Sequence, residues 1–265
     1  MAVTLEVAEV GKDFLIPVID SVSFGVEAGE FVCLLGPNGC GKTTLLRIVG
    51  GLEPPTRGRV LLGGEPVSGS GRHGKKVGVV FQEDRLLPWK TLRENVELVL
   101  EPLGVDGAAR RATADRHLRL AGLAGFEDYH PARVSGGMRQ RAAIARALAI
   151  EPDLLLMDEP FGALDALTRR TLQDELVRLW GELGQTIVFV THSIEEAIYL
   201  ADRVVVMTYR PGTIKRDQRI DLPRPRDPGS PEFNALERAL GALVMEEQAR
   251  RQEAERAGAR GHGQI

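Results

Sequence analysis

Residues 36–43 read Gly36-Pro37-Asn38-Gly39-Cys40-Gly41-Lys42-Thr43, a full match to the loop pattern that binds nucleotide phosphates. Its glycines let successive backbone N–H groups turn toward a phosphate that side chains would otherwise obstruct. The loop opens a helix, whose N-terminal partial charge favours an anion. In such a loop Lys42 reaches the β- and γ-phosphates, the Thr43 hydroxyl ligates Mg²⁺, and Thr44 hydrogen-bonds an α-phosphate oxygen. The competing reading is a glycine-rich turn with a chance lysine, which at average composition arises in roughly one chain in a hundred. The apolar run Phe31–Leu35 before the loop and the helical stretch after it supply the context that a phosphate site needs.

A second candidate site lies far along the chain. Leu154-Leu155-Leu156-Met157-Asp158 reads as a buried strand ending in a carboxylate, followed by Glu159 and Pro160. An Asp at the C-terminal end of such a strand can hold Mg²⁺ through water, at the edge where α/β sheets bind ligands. Glu159 points to the other side and is placed to polarise an attacking water. Taken alone, the pair is better explained by a turn or a cap; the phosphate loop reverses the balance. Two polar residues follow further strands, Gln82 after Val77–Phe81 and His192 after Ile187–Val190. A lone Gln there is usually just solvated, and a lone His more often structural. Ser135 is a natural N-cap for the helix Arg139–Leu148, and Gly136-Gly137 would let a phosphate approach exposed N–H groups at its positive end.

These residues need a scaffold, and the hydrophobic pattern supplies one of α/β type. Val3, Leu5 and Val7 alternate, as do Val22, Phe24 and Val26, predicting half-buried strands of an N-terminal antiparallel piece. Phe31–Leu35, Val77–Phe81, Leu154–Met157, Ile187–Val190 and Val204–Met207 are apolar on both faces, as buried parallel strands are. Lys42–Val49 reads as a helix closed by Gly50-Gly51. Residues from Leu92 to Ile150 are rich in Ala, Leu, Arg and Glu with no strand-like run, predicting a helical insertion. After Ile220 comes the proline-rich stretch Leu222–Pro228, which continues neither helix nor central strand. Phe233, Leu236, Leu240, Leu243 and Val244 then share one side of a helix expected to end near Arg250, and the last dozen or so residues read as disordered.

Composition narrows the function classes. The 265 residues are 43% hydrophobic and 27% charged, as in an ordinary globular protein. A formal net charge of −3 argues against unassisted binding to nucleic acid or anionic lipid. Two cysteines, Cys33 and Cys40, suit a reduced intracellular protein and no zinc site. No signal peptide is read at the N-terminus, and no stretch approaches the roughly 18 apolar residues of a membrane-spanning helix.

Four features carry a family resemblance. Val134-Ser135-Gly136-Gly137-Met138 and the helix Arg139-Gln140-Arg141 behind it resemble the signature motif of ABC ATPases, normally Leu-Ser-Gly-Gly-Gln. Gln82 resembles that family's Q-loop glutamine, His192 its switch histidine, and Gly162-Ala163-Leu164-Asp165 its D-loop. The motifs occur in the family's order, and the resemblance covers roughly residues 3–220. It implies a P-loop core with a mainly parallel sheet, an N-terminal antiparallel β subdomain and an inserted α-helical subdomain. The expected domain runs over 1–220, with the helical insertion at about 92–150. A linker, helix and tail follow over 221–265.

The resemblance further implies ATP and Mg²⁺ as cofactors. The Gly36–Thr44 segment holds the phosphates, and Thr43, Gln82 and Asp158 organise the metal. Glu159 orients water, and His192 holds the γ-phosphate. Ser135, Gly136 and Gly137 complete the site of a second subunit, so that two chains enclose two nucleotides. Phe14 is the candidate for adenine stacking, with a core aromatic in the N-terminal hairpin an equally plausible reading. Val134 and Met138 depart from the signature, and Met138 removes a polar side chain that could reach across the dimer.

Leu86-Leu87-Pro88-Trp89, Glu159–Arg169, Tyr199–Arg203 and Arg210-Pro211-Gly212 resemble the nitrate/sulfonate/taurine importer subfamily. That likeness implies transmembrane permease subunits as partners and, indirectly, an extracytoplasmic solute-binding protein. It places the chain peripherally on the cytoplasmic side of the inner membrane. A non-transport ABC ATPase and a nucleotide kinase or GTPase are the other classes. The first usually carries a coiled coil or a second ATPase copy, and the second lacks a signature helix.

Overall fold

The computed structural model describes residues 3–67 and 75–261, with side chains described as far as residue 256. In chain order the elements are β1 (Leu5–Asp13), β2 (Pro17–Val26), β3 (Phe31–Leu35), α1 (Lys42–Val49), β4 (Arg57–Leu62), β5 (Glu65–Pro66) and β6 (Val77–Val80). There follow α2 (Leu92–Glu97), α3 (Gly107–Leu120), α4 (Gly136–Leu148), β7 (Leu154–Asp158), α5 (Ala166–Leu183) and β8 (Thr186–Thr191). The chain ends with α6 (Ile194–Leu200), β9 (Arg203–Met207), β10 (Ile214–Arg219) and α7 (Pro231–Gly261). It divides into two compact units, Met1–Val3 with Gly74–Ile187, and Thr4–His73 with Val188–Ile265. The segment after residue 220 falls in the same unit as the phosphate loop.

In the unit that holds the phosphate loop, β1 and β2 pair antiparallel with Leu5 opposite Val26 and Val7 opposite Phe24, and β4 and β5 extend this sheet in the order β2-β1-β4-β5. A register shift between Val7 and Val10 brings Glu9 to a positive φ of 51°, the signature of a bulge. A second sheet runs β10-β9-β3-β8. β3 is buried at all five positions and pairs parallel with β9, as its unbroken apolar run predicts. β10 pairs antiparallel with β9 through Ile214–Arg219. The alternation test did not pick it out because an edge strand facing solvent carries Lys215, Arg216, Asp217 and Arg219 rather than apolar residues.

The other unit holds the parallel pair β6–β7 and the helical region. No strand interrupts residues 92–150 among those described, as composition predicted. Its core is Leu92, Val96, Leu100, Ala114, Leu118, Leu123, Ala142 and Ala145. α2 opens with a capping box in which Thr91 Oγ1 accepts from the Glu94 N–H and Glu94 accepts from the Thr91 N–H.

One expectation is corrected. α7 does not end near Arg250; it continues to Gly261, so those residues of the tail are helical, and 262–265 lie outside the described residues. The sequence Arg-Arg-Gln-Glu-Ala-Glu-Arg-Ala is made of strong helix formers, and Arg250–Glu246 and Arg251–Glu255 pair at i,i+4. The proline-rich linker is also more than a spacer. Arg226 inside it is buried and donates to the carbonyls of Ile198, Tyr199 and Ala201 at the end of α6. Burial pushes its pKa down to about 10, yet it stays cationic at the helix's negative end.

Candidate nucleotide site

The phosphate loop joins β3 to α1, and Gly41 is the helix N-cap with φ 101°. Gly36, Pro37 and Cys40 are buried while Asn38 and Gly39 are exposed, so the loop presents its middle to solvent. Lys42 is buried, and its Nζ donates to the carbonyls of Gly36 at 2.8 Å and Pro37 at 3.1 Å. These bonds fold the ammonium back over the loop, where a phosphate bound to the loop amides would meet it. Thr43 and Thr44 follow on the first turn, both half-buried.

The Arg210-Pro211-Gly212 segment supports this loop. The Gly212 N–H donates to Val18 O at 2.9 Å and its carbonyl accepts from the Asp20 N–H at 3.0 Å. A β-carbon at Gly212 would lie 2.1 Å from Cys40 O, so only glycine allows the segment to back the loop.

His192 is exposed and lines a cavity of about 270 Å³ together with Pro37 and Asn38. It follows β8 directly, and its turn is fixed on both sides. Thr191 Oγ1 donates to the Glu196 carboxylate and accepts from the Ser193 N–H at 3.0 Å, while Ser193 N-caps α6. The far wall of the cavity is α7, through Gln248, Arg251, Gln252 and Glu255, a contribution with no motif to announce it.

Phe14 sits at the turn between β1 and β2 and is 58% exposed, so it is not a core aromatic. The Lys12 ammonium lies 4.9 Å from its ring centroid, within cation–π range.

In the other unit Asp158 closes β7, and Glu159 follows in the left-handed region at φ 45°. A non-glycine residue held there is strained, and such strain concentrates at functional sites. Glu159 and Gln82 both border Gly162: a β-carbon there would stand 3.9 Å from Glu159 Oε2 and 3.8 Å from Gln82 Nε2. The D-loop turn is pinned by the Gly162 N–H to Glu159 O at 3.1 Å, and by Arg169 donating to Phe161 O and Leu164 O. Asp165 N-caps α5 by accepting from the Thr168 N–H at 3.0 Å, which holds its carboxyl below the ordinary range.

Ser135 N-caps α4, accepting from the Met138 N–H at 3.3 Å, and is exposed. The two signature glycines differ. Gly136 is half-open, whereas Gly137 is buried, and a β-carbon there would come within 2.6 Å of Thr168 Cγ2. A side chain at Gly137 would therefore have to displace Thr168 within the same chain. Met138 is half-buried and packs against the helical core, a position that a flexible thioether fills readily.

Several supporting contacts carry no signal in the sequence. Arg139 donates to Asp84 Oδ2 at 3.0 Å, and Arg146 donates to Asp84 O and Arg85 O at 2.8 and 2.7 Å. Fully buried Asn95 accepts from the Leu87 N–H at 2.7 Å and donates to Leu87 O, Lys90 O and Thr91 O. It thereby fixes the Leu86–Trp89 turn, with Leu86 buried and Trp89 71% exposed.

Comparison with known proteins places this scaffold. Residues 19–162 match the ABC transporter family model. An uncharacterized ABC transporter ATP-binding protein of Methanocaldococcus jannaschii is 47% identical over 93% of both chains. The nitrate import ATP-binding protein of Synechococcus elongatus is 45% identical over 82% of this chain and 81% of its own. The aliphatic sulfonates import ATP-binding protein of Bacillus cereus is 41% identical over 89% and 94%. Among solved structures, a dimeric ATP-binding cassette in a post-hydrolysis state, bound to ADP and Pi, superposes with a TM-score of 0.72 at 33% identity, covering 82% of this chain and 99% of that one. The chain belongs to the ABC transporter family, as an ATPase of importer type. No helix among the described residues is long and apolar enough to cross a membrane.

Proposed function

We propose that the chain binds MgATP, pairs head-to-tail with a second copy, and couples hydrolysis to uptake of a small anion of the sulfonate, taurine or nitrate kind through a partner permease. The placement of Glu159, directly after Asp158, and of Gln82 beside the same glycine, Gly162, is the observation that carries the hydrolytic part. A carboxylate and an amide that border the same glycine are suited in kind to positioning an attacking water. Glu159 draws its proton as it attacks the γ-phosphorus in line, and Gln82 orients it. Lys42 and the loop amides hold the phosphates, Thr44 the α-phosphate, and His192 the γ-phosphate; Phe14 offers an exposed ring for adenine. Thr43, Gln82 and Asp158 are oxygen donors suited to Mg²⁺, which when bound offsets charge on the β- and γ-oxygens. Catalysis is then mainly positioning and charge stabilisation.

Two features support the wider assembly. Ser135 caps α4 yet stays exposed, as a group that serves a second chain's nucleotide must be, and the related cassette bound to ADP and Pi is dimeric. Trp89, Phe126 and Tyr129 expose apolar surface on the helical unit, which suits docking of a permease helix. The names of the nitrate and sulfonate relatives support an anionic solute, selected by the permease and an extracytoplasmic binding protein, with this chain peripheral on the cytoplasmic side. Glu159→Gln should bind ATP normally, accumulate as a dimer and lose turnover. Retained turnover would refute the general-base role.

A further inference from the structure

The cavity beside the phosphate loop has one wall that no phosphate-loop chemistry accounts for. Pro37, Asn38 and His192 face it from one side, and four polar residues of α7 face it from the other. Those four, Gln248, Arg251, Gln252 and Glu255, fall at i, i+3, i+4 and i+7, a single helix face. Beyond Glu247 no α7 side chain through residue 256 is buried, so burial of apolar surface does not explain the stripe. Its position is nonetheless fixed. Glu247 is fully buried and accepts from the Tyr209 N–H at 2.8 Å and from Lys215 Nζ at 2.6 Å. Tyr209 in turn places Cε2 3.9 Å from where a β-carbon of Gly39 would stand. The polar stripe starts one residue after this anchor, against the loop.

We propose that Arg251 is a ligand for the terminal phosphate of the bound nucleoside triphosphate, assisted by the amides of Gln248 and Gln252, with Glu255 holding its place until the phosphate arrives. The inference rests on the reading that Gly36–Thr43 binds the phosphates of ATP. Arg251 Nε donates to Glu255 Oε1 at 2.8 Å, an i,i+4 pair on a solvated surface that costs little to break. A guanidinium matches phosphate oxygens through its planar fork of donors, and a terminal phosphate carries more charge than the carboxylate it displaces. A diphosphate lacks that group. Arg251 therefore discriminates ATP from ADP, and it returns to Glu255 once phosphate has left.

Calorimetric titration of the full chain with ADP and with a non-hydrolysable ATP analogue tests this. Arg251→Ala should weaken the triphosphate analogue roughly tenfold, the scale of one charged hydrogen bond, and leave ADP unchanged. Arg251→Lys should restore part of the loss, and Glu255→Gln should tighten the triphosphate alone. Equal weakening of both nucleotides, no change in either, or tighter triphosphate binding in Arg251→Ala would overturn the assignment. Lys42→Ala run alongside separates the two failures: undiminished affinity for both nucleotides there would instead refute the phosphate-loop reading.

Discussion

Arg139 Nε donates to Asp84 Oδ2 at 3.0 Å, tying the helix capped by the signature serine to the loop that begins at Gln82. Arg146, two turns further along α4, donates to the backbone carbonyls of the same loop. The segment that carries Gln82 and, a few residues later, the Leu86–Trp89 turn is thus bonded to α4 through both Arg139 and Arg146.

Asp84→Ala should barely alter stability, by less than about 1 kcal/mol, because the pair is partly solvated. Nucleotide affinity should hold while permease-stimulated ATPase activity falls severalfold. Stimulated and basal rates falling together would show that the tie is not a coupling element.

Asn95→Leu removes four hydrogen bonds of a fully buried amide and strands backbone groups of the Leu87–Thr91 turn. A loss of about 2–4 kcal/mol is expected in urea unfolding. Trp89 fluorescence should shift and broaden, with Trp180 replaced by Phe in both proteins to isolate the signal.

Gly137→Ala drives a methyl to within 2.6 Å of Thr168 Cγ2, at an expected cost of about 1–3 kcal/mol. Thr168→Ser deletes that methyl, so the double variant should recover most of the loss. Failure to recover would mean that Gly137 is needed for something other than packing.

His117 on α3 is buried, and burial pushes its pKa below the ordinary value of 6.5 although Thr113 O lies 2.9 Å from Nδ1. The folded chain binds this proton less readily than the unfolded one, so the contribution to stability is full above about pH 6.5 and is lost as pH falls through the lowered folded value. Stability measured at pH 7.5 and 5.5 should drop on the acid side, and less so in His117→Phe.

What was legible in the sequence follows from burial. β3, β7 and β8 are apolar on both faces, and α1 starts at the residue the phosphate loop requires, so their positions could be read from the sequence directly. β5 and β10 are edge strands carrying Glu65 and Lys215, and β4, between β1 and β5, carries exposed Arg57 and Arg59, so none of the three shows a clear strand pattern. The end of α7 is held by ion pairs rather than a buried stripe, and it reads as tail until helix propensity is weighed. The site motifs could be found by residue type, whereas the placement of Gln82 and Glu159 beside the same glycine depends on tertiary geometry that groups residues distant in sequence. Asn95, Arg139 and Glu247 act through partners far from them in kind or position, and their importance shows only once those partners are in place.

The central claim, that each nucleotide site is completed by a second chain, is tested most directly by mixing two inactive variants. Lys42→Ala lacks the phosphate lysine, and Ser135→Arg blocks the signature serine; each homodimer should be inactive. Co-assembled in a head-to-tail pair, the two variants leave one site with both residues intact, so ATPase activity should reappear on mixing. A mixture as inactive as either variant alone, with heterodimers shown to form, would contradict the shared site.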